Sequence, residues 1–165
     1  MKKVPLTKGY MAIVDDADYE LVSRYKWQAN EQRRKDGSIK IVYAQGHLPG
    51  NKSLLMHRLI LGLTDSKIQA DHRDHNGLDN RRENLRLATF NQNRQNSRAQ
   101  VNNTSGFKGV VRSRKKWVAR IRIDGRERYL GCFAKREEAA EAYKIAAKEL
   151  FGEFAYPLAS NQKGK

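Results

Sequence analysis

The densest run of reactive side chains in this 165-residue sequence is Asp71-His72-Arg73-Asp74-His75-Asn76-Gly77. Two amides follow it at fixed distance, in the pattern Asp71-His72-x11-Asn84-x8-Asn93. These types suit one kind of chemistry. A histidine takes up a proton near neutral pH. A carboxylate and an amide oxygen are hard donors, suited to a cation such as Mg²⁺. An asparagine can also orient a histidine without touching the reacting atoms, or close a loop. Each residue has a plainer use as well. His57 precedes an apolar helix and suits packing or hydrogen bonding. His75 suits a surface turn or a phosphate contact. Asn80 and Asn84 suit caps. A second acidic group, Asp15, Asp16 and Asp18, reads as the capped first turn of a helix, since no glycine or distal glutamate follows at calcium-loop spacing.

Several elements must position these side chains. Leu55-Met56-His57-Arg58-Leu59-Ile60-Leu61-Gly62 reads as a helix closed by glycine. Asn76-Gly77 is a turn signal. Residues 80–87 look helical, and residues 91–96 extend a polar face. Residues 1–56 read as short strands and turns. Strands are expected at 10–14, 25–29 and 39–44, with a short helix over 15–22. Residues 97–104 lack periodicity and read as a linker. Beyond them Trp117, Ala119, Ile121 and Ile123 alternate with Val118, Arg120 and Arg122, the mark of a half-buried strand. Asp124-Gly125 signals a hairpin turn, and residues 128–133 form the next strand. Residues 136–151 carry Ala139, Ala140, Tyr143, Ala147 and Leu150 at helical spacing. Gly152 ends that helix. Its start, Ala134-Lys135, lacks a usual cap, which costs about 1 kcal/mol. Residues 163–165 read as a frayed tail.

Composition narrows the partners. Lys and Arg number 33 against 18 Asp and Glu, a net charge of +15. Residues 1–100 carry +7 and residues 101–165 carry +8, so both halves have reason to meet the same polyanion, nucleic acid before an acidic membrane surface. The single cysteine, Cys132, excludes an intramolecular disulfide and a four-cysteine zinc site, and suggests a reducing cytoplasm. No apolar run reaches the roughly 20 residues that cross a bilayer. The first six residues, with two lysines and no apolar stretch behind them, do not read as a signal peptide.

The stretch from Met56-His57-Arg58-Leu59 through Asp71-His72, Asn80 and Asn84-Leu85 to Asn93 resembles the HNH homing endonucleases of the His–Asn–Asn type, common in phages and bacteria. The match covers about 40 residues, preceded by a strand-rich segment often found with them. The resemblance implies a ββα-metal (His-Me finger) nuclease over residues 1–97, with its core at about 54–97. It implies His72 as general base and Asp71 and Asn93 as ligands of a divalent metal, Mg²⁺ first and Mn²⁺ second, with no structural zinc. Asn84 would brace the loop and orient His72. Asn91 or Asn96 replaces Asn93 if the helix register differs.

After a linker at 98–104, four segments in order resemble the AP2 DNA-binding domain over residues 105–158. They are Ser105-Gly106-Phe107-Lys108-Gly109-Val110, Trp117-Val118-Ala119-Arg120-Ile121-Arg122, Tyr129-Leu130-Gly131-Cys132-Phe133 and Glu137-Glu138-Ala139-Ala140-Glu141-Ala142-Tyr143. The implied fold is a three-stranded antiparallel sheet packed on one helix, followed by a tail at 159–165. Arg120, Arg122 and Tyr129 match contact positions of that family, with Lys108, Arg112 and Arg114 on or beside the first strand. Arg120 stands where the plant proteins have glutamate and Glu127 stands near a family arginine, so plant sequence specificity does not transfer.

Together the resemblances imply an α+β protein of two domains, a metal-dependent homing endonuclease that nicks double-stranded DNA as a monomer in the cytoplasm of a bacterium or phage-infected cell. Cutting both strands together requires a dimer. Two rival classes stand beside this one. One is a DNA-binding regulator with a decayed nuclease block. The other is an RNA-binding protein, disfavoured because the basic strands lack interleaved exposed aromatics.

Overall fold

The computed structural model describes residues 1–99 and 103–156. The middle of the expected linker and the expected tail lie outside the described residues. The architecture mixes α and β elements in two compact units, Met1–Phe90 and Asn91–Lys165. Among the described residues no helix is long and apolar enough to cross a membrane.

In the first unit, β1 (Lys2–Pro5) and β2 (Met11–Val14) form an antiparallel pair, and α1 (Asp16–Ser23) follows. β3 (Gln28–Arg33), β4 (Ile39–Leu48) and β5 (Lys52–Leu55) form an antiparallel sheet in that order. The short α2 (Met56–Ile60) leads to a second pair, β6 (Gln69–His72) with β7 (Leu85–Ala88). Val4, Ala12, Val14, Val22, Trp27, Ala44, Met56, Ile60 and Leu85 form one core. Trp27 also donates its indole N–H to Val22 O at 2.8 Å, which satisfies the polar atom that its burial would otherwise strand.

Two expectations change here. The strand expected at 25–29 begins only at Gln28. The helix expected over 80–87 is a turn followed by β7. Leu85, Arg86 and Ala88 are buried while Leu87 is 54% exposed, and the backbone of 85–88 is committed to β6. Tertiary pairing has overridden a helix-like local pattern.

In the second unit, α3 (Phe90–Gln95), which the division between units cuts after its first residue, precedes β8 (Val110–Ser113), β9 (Lys116–Ile123) and β10 (Arg126–Phe133). β9 is the central strand of an antiparallel sheet. Asp124 and Gly125 have φ of 47° and 79°, the positive pair that a tight hairpin turn demands. α4 (Arg136–Phe151) packs on the sheet through Ala139, Ala140, Tyr143 and Ala147, against Val110, Ala119 and Ile121. Its start has a partial remedy for the missing cap: Lys135 N–H donates to the Glu138 carboxylate at 3.4 Å, the second half of a capping box. Gly109 is sterically required. Its φ is 72°, and a Cβ there would lie 2.1 Å from the Tyr143 ring.

Candidate functional site

Asp71 and His72 end β6, opposite Arg86 and Leu85 of β7. Both are buried, at 6% and 5% exposure. The segment between the strands, residues 73–84, is ordered by its own polar side chains. Asn84 holds it at three points: its amide nitrogen donates to Asp74 Oδ1 (2.9 Å) and Asp79 O (2.8 Å), and its Oδ1 accepts from Asp74 N–H (3.1 Å). Asp74 and Asn76 each accept a backbone N–H two residues on, at 2.8 and 3.1 Å, the Asx turns expected of such residues. Asp79 accepts two bonds from the Arg81 guanidinium, at 2.9 and 2.6 Å.

The rest of the unit clamps this segment from outside. Ile13 of β2 donates to Leu78 O and accepts from Asn80 N–H, both at 2.8 Å. Arg82 N–H donates to Asp15 (2.8 Å), and the Arg82 guanidinium donates to both Asp18 oxygens (2.8 and 2.7 Å) and to Ile60 O (3.1 Å). The acidic group read as a capped helix start therefore has another principal duty. Asp15 makes no side-chain cap on α1; it and Asp18 anchor Arg82. Gly77 completes the fit, since a Cβ there would lie 2.4 Å from Val42 O and 2.7 Å from the Tyr43 ring.

The side chain that reaches His72 is that of Asn80. Its Oδ1 stands 3.4 Å from His72 Nε2, while its Nδ2 donates to Leu78 O at 3.2 Å. That second bond turns the amide oxygen toward the imidazole, an arrangement suited to the tautomer with its proton on Nε2. Tyr43 of β4 and His57 of α2 complete an aromatic cluster. The His57 and His72 ring centres are 5.0 Å apart, edge to face, and Tyr43 lies 5.4 and 5.8 Å from them. Burial pulls the His72 pKa below the usual histidine value, while the Asn80 bond and the charges of Asp74, Asp71 and Asp79 oppose it. Burial, with the charges of His72 and Arg58 adding to it, takes His57 down to about 3. Burial raises Tyr43, and the Asp71 charge adds to it. The cluster thus holds neutral imidazoles at neutral pH.

Asp71 is paired with Arg86, whose Nε and Nη2 donate to Asp71 Oδ2 at 2.8 and 2.6 Å. Among the described residues no three His, Cys, Asp or Glu side chains form a group able to hold a metal ion. The expected ligand set has only one member of those types, Asp71. Asn93 sits on α3, beyond the division between the units. Tyr43, Arg86 and the role of Asn80 were missed in the sequence. Arg86 sits two residues after Asn84 in an alternating strand, and a strand reading of 85–88 would have set it opposite Asp71.

In the second unit, Arg120, Arg122 and Tyr129 lie on the sheet face turned away from α4. Arg120 opposes Tyr129, and Arg122 opposes Glu127. Arg120 donates to Glu127 at 3.1 Å, and Tyr129 is 61% exposed. Arg114 is in the β8–β9 turn, with φ of 53°. Arg112 opposes Trp117, on the α4 side, and its guanidinium lies 5.5 Å from the Trp117 ring centre. Lys108 is engaged elsewhere. Its ammonium donates to Arg94 O, Gln95 O and Ser97 O, at 3.2, 2.6 and 2.7 Å, closing the carbonyl end of α3. Burial lowers its pKa to about 8. A phosphate contact by Lys108 would require it to leave those carbonyls.

Comparison with protein-family models gives no match, and none of the solved structures matches. Comparison with curated proteins gives an uncharacterized HNH endonuclease of Acanthamoeba polyphaga mimivirus, 34% identical over 151 residues, covering 91% of this chain and 75% of that protein. The likeness spans both units and includes the Asp71–Asn84 segment built above, and on that extent the chain belongs to the HNH endonuclease family.

Proposed function

We propose that the protein is a metal-dependent endonuclease of the homing type that hydrolyses one phosphodiester of duplex DNA. The observation that carries this reading is the His72 imidazole, buried and neutral, with Nε2 turned to Asn80 and a carboxylate next to it in the chain. His72 Nδ1 accepts a proton from the attacking water. The water oxygen bonds to phosphorus as the P–O3′ bond breaks, which leaves a 5′-phosphate and a 3′-hydroxyl. Asn80 holds the tautomer that leaves Nδ1 basic, and Asn84 fixes the segment that carries Asn80. By donor chemistry, the Asp71 carboxylate would suit a hard cation that keeps waters and takes substrate phosphate as further ligands, and the Asn93 amide oxygen is of the same hard type. Such a cation, Mg²⁺ or Mn²⁺, supplies charge neutralisation on the phosphate and the departing oxygen.

The second unit is read as an AP2-type module. A three-stranded antiparallel sheet with Arg120, Arg122 and Tyr129 on the face away from its helix has the form of a surface that enters the major groove. Holding DNA there raises the effective concentration of target at the nuclease. With one His72 site per chain, a monomer nicks.

Supercoiled plasmid incubated with the purified protein and Mg²⁺ tests the reading. Nicked circles are expected, lost on adding EDTA and lost in His72→Ala while duplex binding persists. Tight binding by the unaltered protein with no cleavage in Mg²⁺ or Mn²⁺ refutes it and leaves a DNA-binding regulator.

A further inference from the structure

The β3–β4–β5 sheet of the first unit has two unlike faces. Ala44, Gly46 and Leu54 lie on the face that meets the core. Alternation and register put Gln28, Asn30, Gln32, Gln45, His47 and Ser53 on the other. None of these six is buried. None is Lys, Arg, Asp or Glu, although such residues make up 31% of the chain. A face that served only water or phosphate would draw on those charges; this one offers amides. The side chains are linked across the strands. Gln28 Nε2 and His47 Nε2 are 3.0 Å apart, the Asn30 amide donates to Gln45 Oε1, and Gln45 Nε2 donates to Ser53 Oγ at 3.0 Å. These links fix the amides and leave part of their hydrogen-bonding capacity over.

The face adjoins the candidate site. Asn30 opposes Tyr43, whose ring centre lies 5.8 Å from that of His72. Gly77, in the segment after His72, packs against Val42 O and the Tyr43 ring. Exposed lysines flank the face at both ends of the sheet, Lys35 and Lys40 by the β3–β4 turn and Lys26 and Lys52 at the opposite end.

We infer that this face reads base edges in the major groove of duplex DNA beside the bond that is cut, with its Gln and Asn amides on adenine. The inference rests on the reading of the protein as a DNA nuclease, and adds a second reading surface to the one on β9 and β10. A β-ribbon fits the major groove, and an amide, acceptor and donor together, matches adenine N6 and N7. The flanking lysines meet phosphates, which position the protein without selecting sequence. Amides already held by their neighbours need less ordering when DNA arrives. Because Tyr43 joins the face to His72, the bases read lie near the scissile phosphate.

Selection from duplexes with a randomised centre, using the full chain in EDTA, tests this by binding alone. The unaltered protein is expected to enrich two blocks of preferred base pairs, one of them rich in adenine. Gln28→Ala with Gln45→Ala is expected to erase the preference in the adenine block and to weaken binding to the enriched duplex at least about fivefold. The slope of log K against log salt is expected to stay unchanged, since no phosphate contact is lost. Arg120→Ala with Arg122→Ala is expected to spare that block. An adenine block that persists in the amide variant overturns the inference. If the amide variant does not fold, 7-deazaadenine placed in the block decides with the unaltered protein. It removes the N7 acceptor, and at least about fivefold weaker binding is expected; unchanged affinity overturns the inference. Enrichment of a single block that depends on Arg120 and Arg122 removes this face alone. Failure of the unaltered protein to bind any duplex removes the nuclease reading with it.

Discussion

The two units use charge in opposite ways. The first buries it: Asp18, His57, Asp71, His72, Asp79, Asn80, Asn84 and Arg86 are all sequestered among the described residues, against Asn96 and Ser105 in the second. The second displays it, with Arg120 and Arg122 on an open sheet face and Val110, Ala119, Ile121 and Ala139 forming an apolar interior. The difference suits the two tasks proposed for the units. Moving a proton at a chosen atom needs polar groups fixed in advance, and buried polar groups are fixed only when each has a partner. Gripping a polyanion needs charges that stay in water until the partner comes.

Three perturbations can break or sharpen this contrast. The largest effect is expected from pH. The His57 pKa in the folded chain, about 3, lies below the ordinary 6.5. The stability linked to it is therefore complete above pH 6.5 and is lost as pH falls from there toward 3. The gap corresponds to roughly 5 kcal/mol, and His72, shifted the same way, adds to it. Denaturant titrations in a Trp117→Phe background, where Trp27 alone reports, should show this acid loss, and His57→Phe should flatten it. An equal acid slope in both proteins would place the sensitivity elsewhere.

A middling effect is expected from Asn84→Ala. It removes three side-chain hydrogen bonds from a buried position and should cost roughly 2–3 kcal/mol, read by the same fluorescence. A loss under about 0.5 kcal/mol, the usual range for surface changes, would mean that the segment holds without it. The smallest effect on stability is expected from Arg120→Ala with Arg122→Ala, within about 0.5 kcal/mol. Duplex affinity should nevertheless fall, and the slope of log K against log salt should shrink by about one to two. An unchanged slope would remove these arginines from the interface.

The sequence was most legible where local pattern and tertiary environment agree. The 136–151 helix and the Trp117–Ile123 strand appear where expected, because one side of each element is largely apolar and one largely charged; Leu150, expected in the helix's apolar stripe, is exposed, and Val118, expected on the charged face, is buried. It was least legible at 80–88, where backbone pairing with β6 decides the conformation and the side chains point both ways. The Asp71, His72 and Asn84 triplet could be picked out by spacing. Its surroundings could not. Tyr43, Asp15 and Asp18 come from 30 residues or more upstream of the loop they touch, and no local periodicity encodes a carboxylate meeting an arginine 64 residues away. The Lys108 clamp on α3 was equally hidden, since a lysine destined for carbonyls looks the same as one destined for phosphate.

The grip of Asp15 and Asp18 on Arg82 has a consequence for how the protein comes into being. These bonds close loops of 67 and 64 residues, and Ile13 reaches the same segment through Leu78 and Asn80. Contacts of such sequence separation form late, after the chain has met the entropy of closing the loop. The hairpins and helices can assemble early, while the segment carrying Asn80 and Asn84 waits for the amino-terminal strand to dock. The segment that carries Asn80 and Asn84 is thus held by contacts whose loop closure costs more entropy than that of the hairpins and helices.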